Sequence, residues 1–447
     1  MKKNSSVLTP PNETGAIVLG TSFRRMSVRE RRDYLAARLG VSGQEVDALT
    51  GDTNLTDLAN VMVESAIGYM AVPMGVAAGF VIDGERVNVP MAVEEPSVIA
   101  AATHAGSLIS RRGGGFTTVT DEPVMCAEVY LRDADSIPGD HVLKRFEAEV
   151  RTHLRDPLRA MNARGGGFRG LRVERVDDRL TAVRIYIDTR DAMGANLLNT
   201  AAESIRELAA DRLGGESIMA ILSNAADDRT AEARFTLPVE FCARGKRNGD
   251  EMAERIVAAN TIANRDYHRA VTHNKGIMNG VSSLALATGN DTRAVEAACH
   301  AYATRDGRYR ALTEYEVRDG ALHGRLRLPL ALGSVGGAVA FHPASRFALR
   351  VLGSPDSQRL AAIAACVGLA QNFAAVSALV GEGIQRGHMR LHANRLAWKA
   401  GARGREIAAV AERISAAHRF NDETADRMLA EVRAEKSRER AGNNGSE

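Results

Sequence analysis

Apolar positions along the chain follow two periods, helical in some stretches and alternating in others. Residues 27–39 read as a helix that opens on Ser27 and carries Glu30 three residues on, the pairing that lets two side chains cap a helix start reciprocally. A second helix is predicted over residues 55–67. Short apolar runs at 79–82 and 86–89 flank Asp83-Gly84, a dipeptide suited to the tight turn of a hairpin. Glu94-Glu95-Pro96-Ser97 then reads as a helix start, with the proline at or near the first helical position and the helix running to about residue 110.

Gly113-Gly114-Gly115 breaks that helix, and the pattern beyond it changes. It predicts a strand at 124–131, a helix at 141–158, strands at 168–176 and 180–187, a helix at 195–213 and a strand at 218–222. That β-α-β-β-α-β order is the ferredoxin-like unit, here inserted over residues 119–222. Helices follow at 250–277 and 293–302, strands at 311–317 and 320–328, a Gly-rich loop at 333–337, and helices at 357–369 and 371–379. A last helical segment over 385–434 is bracketed by Gly381, Gly383 and Gly387 and has the size of a small lid. The expected fold class is α+β: a discontinuous, mostly helical large domain (1–118 and 223–380), the insert (119–222) and a helical C-terminal domain (381–447).

Composition narrows the classes of function. With 45% hydrophobic and 25% charged residues the chain is ordinary for a globular protein, and at 447 residues it can bury two or three cores. An aromatic share of 4% argues against a base-stacking surface. The net charge of +3, from 58 basic against 55 acidic side chains, names no polyanionic partner. Cys126, Cys242, Cys299 and Cys366 are scattered with no paired spacing, which fits a reducing compartment and neither a disulfide framework nor a zinc ribbon. No apolar leader and no long apolar run is evident, so a cytoplasmic protein without a membrane anchor is expected.

The densest polar cluster is Thr272 to Gly280, where Lys275 stands among polar neighbours at the predicted end of a helix. A lysine there is commonly a solvated cation favoured by the helix dipole; Asp291, on the next Gly-rich turn, is a carboxylate able to pair with it instead. Glu94 and Glu95 read either as a solvated acidic turn or, between apolar segments, as a desolvated general acid. His388 and His392 stand four apart, but the HExxH base and a third ligand are missing, so no metal is expected; His388, after the Gly387 hinge, suits a mobile proton donor. No Gly-rich turn matches GxGxxG, while the helix after Gly194-Ala195-Asn196 offers its first amides to a pyrophosphate.

Six segments in order resemble the signature motifs of the class II HMG-CoA reductases: residues 89–97, 114–118, 191–196, 273–276, 289–291 and 383–389. The similarity spans about residues 22–433. It implies that Glu95, Lys275, Asp291 and His388 are catalytic, with His388 protonating the departing CoA thiolate. Arg269, Ser97, Asn279, Asn224 and Gln371 resemble residues around the HMG group, and Arg24 an arginine on CoA phosphate. Asp191, Met193, Gly194, Ala195 and Asn196 resemble the cofactor loop. The implied activity is the two-hydride interconversion of HMG-CoA with mevalonate and CoA, by a homodimer with a shared active site, or a trimer of such dimers, with neither nucleic acid nor membrane as partner. Two departures stand out. Glu64-Ser65-Ala66-Ile67-Gly68 has Ser where the family carries Asn, and Gly170 replaces an Asp that accepts the adenosine ribose in NADH-using relatives. With Arg169 and Arg172 beside it, Gly170 leans the expectation towards NADPH over NADH. The rival readings are a cysteine-dependent CoA acyltransferase or thioesterase, and an RNA-binding protein acting through the ferredoxin-like unit.

Overall fold

The computed structural model describes residues 53–381, 383 and 385–443, together with Met26, Ser27, Arg29, Glu30, Asp33 and Ala37 nearer the N-terminus. The chain divides into two units, Met1–Pro73 and Met74–Glu447. In the first, the Ser27 amide donates to Glu30 Oε2 at 2.7 Å and the Glu30 amide to Ser27 Oγ at 3.3 Å, the reciprocal cap its sequence predicts. Most of the expected 27–39 helix, and Arg24, lie outside the described residues. Helix α1 (Thr53–Met62) begins earlier than expected and stops well short of residue 67, with Ser65 in left-handed backbone at φ 57°.

The second unit holds two sheets. Strands β1 (Met74–Ile82) and β2 (Glu85–Ala92) form the expected hairpin, closed by Asp83 and Gly84 at φ 52° and 84°. Helix α2 (Val98–Arg112) starts two residues after Pro96, so the proline precedes the cap instead of occupying the first turn. Strand β3 (Phe116–Thr120) was not legible as a strand, because the glycines before it dominate the local pattern. It belongs to a six-stranded sheet of order β2-β1-β3-β8-β10-β9, in which only the β1/β3 contact is parallel. The sheet is completed by β8 (Thr230–Pro238), which pairs with β3 and β10, and by β9 (Thr313–Arg318) and β10 (Ala321–Pro329), which pair with each other. Pairing of Val119 and Thr120 with β8 keeps them in the large sheet, beyond the point where the insert was expected to begin.

The second sheet has order β5-β6-β4-β7, all antiparallel, built from β4 (Val124–Arg132), β5 (Gly167–Arg175), β6 (Leu180–Asp188) and β7 (Glu216–Leu222). Helix α3 (Asp140–His153) and the successive helices α4 (Ala195–Ser204) and α5 (Arg206–Leu213) complete the β-α-β-β-α-β order. Inward positions of β4 alternate strictly and share one apolar cluster with the helices, from Met125 and Val129 to Leu198 and Leu213.

Two helices met as one in the sequence are separate here. Helix α6 (Gly249–Arg265) ends at Asp266, whose side chain accepts the Arg269 amide and opens α7 (Tyr267–Ala287). Lys275 therefore sits in the middle of a helix and not at its end. Helix α8 (Thr292–Tyr302) follows, then α9 (Pro343–Val351). The opposite correction applies to residues 357–380, a single helix α10 (Ser357–Val380) where two were expected. It is apolar on nearly every side and is long and apolar enough to cross a membrane, but its span is 72% buried as the axle of the large core. Gly368 is what lets α7 approach: a methyl group there would lie 2.8 Å from Val281 Cγ2. Helices α11 (Gln385–Lys399), α12 (Arg405–Ala417) and α13 (Asp422–Asn443) form a third cluster around Leu396, Val410 and Leu429.

Candidate active site

Four elements of the second unit meet at a cavity of ≈ 370 Å³: the β2–α2 turn, α7, the C-terminal half of α10 and the loop carrying Arg244. Helix α7 lines it with Arg269, Thr272, His273, Gly276 and Asn279, spacings that fall on one face. Lys275 and Glu95 also line it, and Lys275 Nζ donates to Glu95 Oε2 at 2.8 Å across 180 positions of sequence. Their side chains keep 60% and 36% of their surface exposed. Glu95 is thus ion-paired at the cavity mouth, not sealed in apolar surroundings as the general-acid reading expected.

Strain and unsatisfied polar atoms gather at the same place. Ser97 holds φ 77° at the start of α2, a left-handed conformation that costs a non-glycine residue about 1–3 kcal/mol. Its Oγ is buried without a hydrogen-bond partner, as are Gln371 Oε1 and His273 Nδ1, and all three residues line the cavity. Buried polar atoms seldom stay unpaired unless something else satisfies them. Burial, with the Arg269 charge adding to it, pushes the His273 imidazole down to about 3, so the ring is neutral. Burial also lowers the Arg269 guanidinium from its usual value. Three cations, Arg244, Arg269 and Lys275, face one carboxylate, which suits an anionic ligand.

Of the residues singled out in the sequence, Glu95, Ser97, Arg269, Lys275, Asn279 and Gln371 come together here. Asp291 does not join them. Its carboxylate caps α8, accepting the Arg293 and Ala294 amides at 3.0 and 3.1 Å, and its ion-pair partner is Arg293. Desolvation acts against that charge, but the amides and Arg293 outweigh it and hold the carboxyl below its usual range. The expected Asp291–Lys275 pair therefore does not form within the chain. Asn224 is exposed between β7 and β8, away from the cavity lining. His388 lies in α11, while its side chain falls outside the described residues; Arg395 of that helix donates to the Glu94 carbonyl at 2.9 Å, which brings α11 beside the β2–α2 turn.

Asp191 to Asn196 is a built loop. Asp191 Oδ1 accepts the Ser357 amide at 3.0 Å, and its carbonyl accepts the Ser334 amide at 2.9 Å, tying the insert to α10 and the 333–337 loop. Arg229, buried, donates to the carbonyls of Ala192 and Leu332 and to Thr189 Oγ1, and burial pushes its guanidinium down to about 10. Gly194, at φ 95°, precedes α4 with no side chain capping the first amides, and a methyl group there would sit 2.5 Å from Thr189 Cγ2. None of the loop residues lines the Lys275 cavity of its own chain.

Arg169 departs from expectation. It occupies a bulge in β5 and is held at 2.5 Å by buried Asp188, which also meets Arg190. It is therefore not a free cation beside Gly170. Arg172 stacks over Tyr186, 5.2 Å from the ring centre, and keeps an exposed guanidinium. Arg244 and Asn372 were missed in the sequence, while Thr272 and His273 stood in the cluster around Lys275 without a role of their own; the basic turn at 243–247 was a signal for Arg244.

The profile of the family described as Hydroxymethylglutaryl-coenzyme A reductase matches residues 27–393. The chain belongs to the HMG-CoA reductase family. It is 40% identical over 397 residues to the 3-hydroxy-3-methylglutaryl-coenzyme A reductase of Archaeoglobus fulgidus, covering 87% of this chain and 89% of that one. It is 36% identical over 379 residues to the probable enzyme of Borreliella burgdorferi, covering 85% and 86%. Among solved structures, the class II reductase of Streptococcus pneumoniae bound to NADPH in open conformations is similar with a TM-score of 0.70 and 36% identity, covering 91% of this chain and all of that one. As a member of the HMG-CoA reductase family the protein is an oxidoreductase, and neither the acyltransferase nor the RNA-binding reading is supported. No cysteine lines the cavity, and burial pushes the thiols of Cys126 and Cys242 up to about 12 and 11, far from a reactive thiolate.

Proposed function

We propose that the protein interconverts HMG-CoA with mevalonate and CoA, consuming or yielding two equivalents of reduced nicotinamide, with Glu95, Lys275 and His388 as its proton and charge handlers. The observation that carries this reading is the Lys275–Glu95 pair at the mouth of a cavity that also holds Arg269 and the unpartnered Ser97 Oγ and Gln371 Oε1. Arg269 and Ser97 suit the free carboxylate of the HMG group, and Asn279 and Gln371 its remaining polar atoms.

A reduced nicotinamide held at the 191–196 loop would supply one hydride to the thioester carbon, and a second, bound after the first has left oxidised, would supply one to the aldehyde carbon. Lys275 meets the thioester oxygen as it gains negative charge, an electrostatic contribution of about 3–4 kcal/mol for a donor of this kind. Collapse of the hemithioacetal expels the thiolate, which His388 protonates from α11. Glu95, reached by solvent at the cavity mouth, takes up a proton there and passes it to the aldehyde oxygen in the second reduction, while Lys275 donates a hydrogen bond to that same oxygen. Asp291 is assigned no step, since it is committed to capping α8. Asn224, exposed, reaches substrate only from another subunit.

For the cofactor, the uncapped amides of α4 behind Gly194 fit a pyrophosphate, with Asp191, Met193, Ala195 and Asn196 forming the turn around it. We favour NADPH: Gly170 carries no carboxylate to repel a 2′-phosphate, Arg172 is exposed beside it, and the similar S. pneumoniae structure holds NADPH. Because the loop does not reach its own cavity, a homodimer whose sites combine the Lys275 cavity of one chain with the 191–196 loop of the other is part of the proposal, and a trimer of such dimers remains compatible with it. So are the three domains, with 381–447 as a flap, and a cytoplasmic location, for which the four unpaired cysteines are suited. The direct test follows nicotinamide absorbance on mixing purified protein with HMG-CoA and NADPH or NADH. Absence of turnover with both would falsify the assignment; faster turnover with NADH would remove only the cofactor preference.

A further inference from the structure

Arg229 is a buried cation that the mechanism above leaves unused. It stands between β7 and β8, 5% exposed, and the partners of its guanidinium among the described residues are all neutral. Nη1 donates to Thr189 Oγ1 at 3.0 Å and to the Ala192 carbonyl at 3.2 Å, and Nη2 donates to the Leu332 carbonyl at 2.7 Å. The carboxylates nearby are committed elsewhere: Asp188 holds Arg169 and Arg190, and Asp191 accepts the Ser357 amide. Burial lowers the hold of Arg229 on its proton, against the through-space pull of those two carboxylates, yet at about 10 it stays charged at neutral pH. A cation kept from water with no carboxylate on it is costly, and an apolar side chain of similar volume would pack there with less loss of stability. Fold stability therefore does not explain Arg229.

The segments it joins converge on the turn before α4. Thr189 is the relay between them: its Oγ1 donates to the Ala192 carbonyl at 2.8 Å, its amide donates to the Pro123 carbonyl at 2.9 Å, and its Cγ2 is what a methyl group on Gly194 would strike. On the other side of the turn, a methyl group on Gly333 would lie 2.7 Å from the Met193 nitrogen, and Ala192 bridges Val335. Removing the guanidinium would leave the Ala192 and Leu332 carbonyls without the donor they share, and the turn without its tie to the end of β10. We propose that Arg229 is a positioning residue for the nicotinamide cofactor: it fixes the 189–194 turn against the large sheet and sets an unneutralised charge behind the α4 amides. Dinucleotide affinity then depends on a side chain that the dinucleotide does not touch. Both effects are in place before the ligand arrives, and neither bears on the Lys275 cavity, which Arg229 does not line. The inference rests on the cofactor reading of the 191–196 loop.

The test measures the dissociation constants of NADPH, NADH and HMG-CoA by calorimetry for wild type, Arg229→Met, Arg229→Lys and Thr189→Val, with thermal melting as the check on folding. Arg229→Met keeps most of the side-chain volume and removes the charge and all three hydrogen bonds, whereas Thr189→Val keeps shape and charge and removes only the relay hydroxyl. Arg229→Met should weaken the preferred nicotinamide by about tenfold or more, as loss of a charged hydrogen-bond partner does, while HMG-CoA shifts by less than about twofold. Arg229→Lys should recover part of that loss, and Thr189→Val should show a smaller loss in the same direction. Unaltered nicotinamide affinity in folded Arg229→Met, or equal weakening for nicotinamide and HMG-CoA, overturns the inference and leaves Arg229 a structural residue. Should Arg229→Met not fold, Thr189→Val decides: selective weakening of the nicotinamide supports the inference and wild-type affinity overturns it. A wild type that binds neither nicotinamide sinks the inference together with the cofactor reading; one that binds a nicotinamide but reduces no HMG-CoA loses the reductase assignment alone.

Discussion

Lys275 stands mid-helix with its ammonium on a carboxylate 2.8 Å away, so its removal leaves α7 intact and strips the cavity of one of its charges. Lys275→Ala should melt within a few degrees of wild type and lose about 10²–10³ in kcat, read in single-turnover assays with HMG-CoA. His273 gives a second prediction at this scale, on stability. Its folded pKa of about 3 lies below its ordinary 6.5, so the unfolded chain binds more protons between those values. Stability attributable to keeping this ring neutral is then complete above about pH 6.5 and falls as the pH drops towards 3, with a slope near 1.4 kcal/mol per pH unit. His273→Asn, which cannot protonate, should flatten that part of the curve in urea titrations at successive pH values. An unchanged slope would mean the imidazole is not the group responsible.

At the scale of elements, the site depends on how closely α7 crosses α10. A methyl group on Gly368 would stand 2.8 Å from Val281 Cγ2 and 3.1 Å from Ile277 Cγ2, so the helices must part to admit a side chain. Gly368→Val is expected to cost about 1–3 kcal/mol in denaturant unfolding, as overpacked cores do, and to raise KM because Gln371 and Lys275 sit on the two separated helices. The start of α10 is fixed by Asp356, which accepts the Arg359 amide at 2.7 Å. Asp356→Ala should cost about 1 kcal/mol with kcat unaltered. Most of these elements were legible in the sequence, for particular reasons. The Asp83-Gly84 hairpin follows from left-handed backbone at adjoining positions, and β4 and β10 from strict alternation. Strand β8 escaped notice because its first half, Ala231 to Arg234, holds no strongly strand-favouring residue, and it is a strand because it lies between β3 and β10. The break at Asp266 was hidden because apolar spacing continues across it, and α10 read as two helices because Gln371 and Asn372 interrupt a run that the tertiary structure buries regardless.

For the whole molecule, the separation of the 191–196 loop from the Lys275 cavity makes subunit pairing a matter of activity. Chains carrying Lys275→Ala and chains carrying Gly194→Ala should each be inactive alone. Refolded together, they should recover up to about a quarter of wild-type turnover, since half the dimers are mixed and one of their two sites is intact. No recovery in a mixture shown to hold mixed dimers would mean that each site is built from one chain. The sequence by itself determined the local elements, the β-α-β-β-α-β order and the family, because periodicity, turn chemistry and ordered motifs are properties of neighbours along the chain. Only the tertiary structure decided which charges meet. It set Glu95 on Lys275 across 180 positions, turned Asp291 to its own helix, gave Arg169 to Asp188 and left His273 Nδ1 without a partner. The physical reason is that an ion pair or an unsatisfied atom depends on distance and burial, and neither is written in the spacing of residues along a chain.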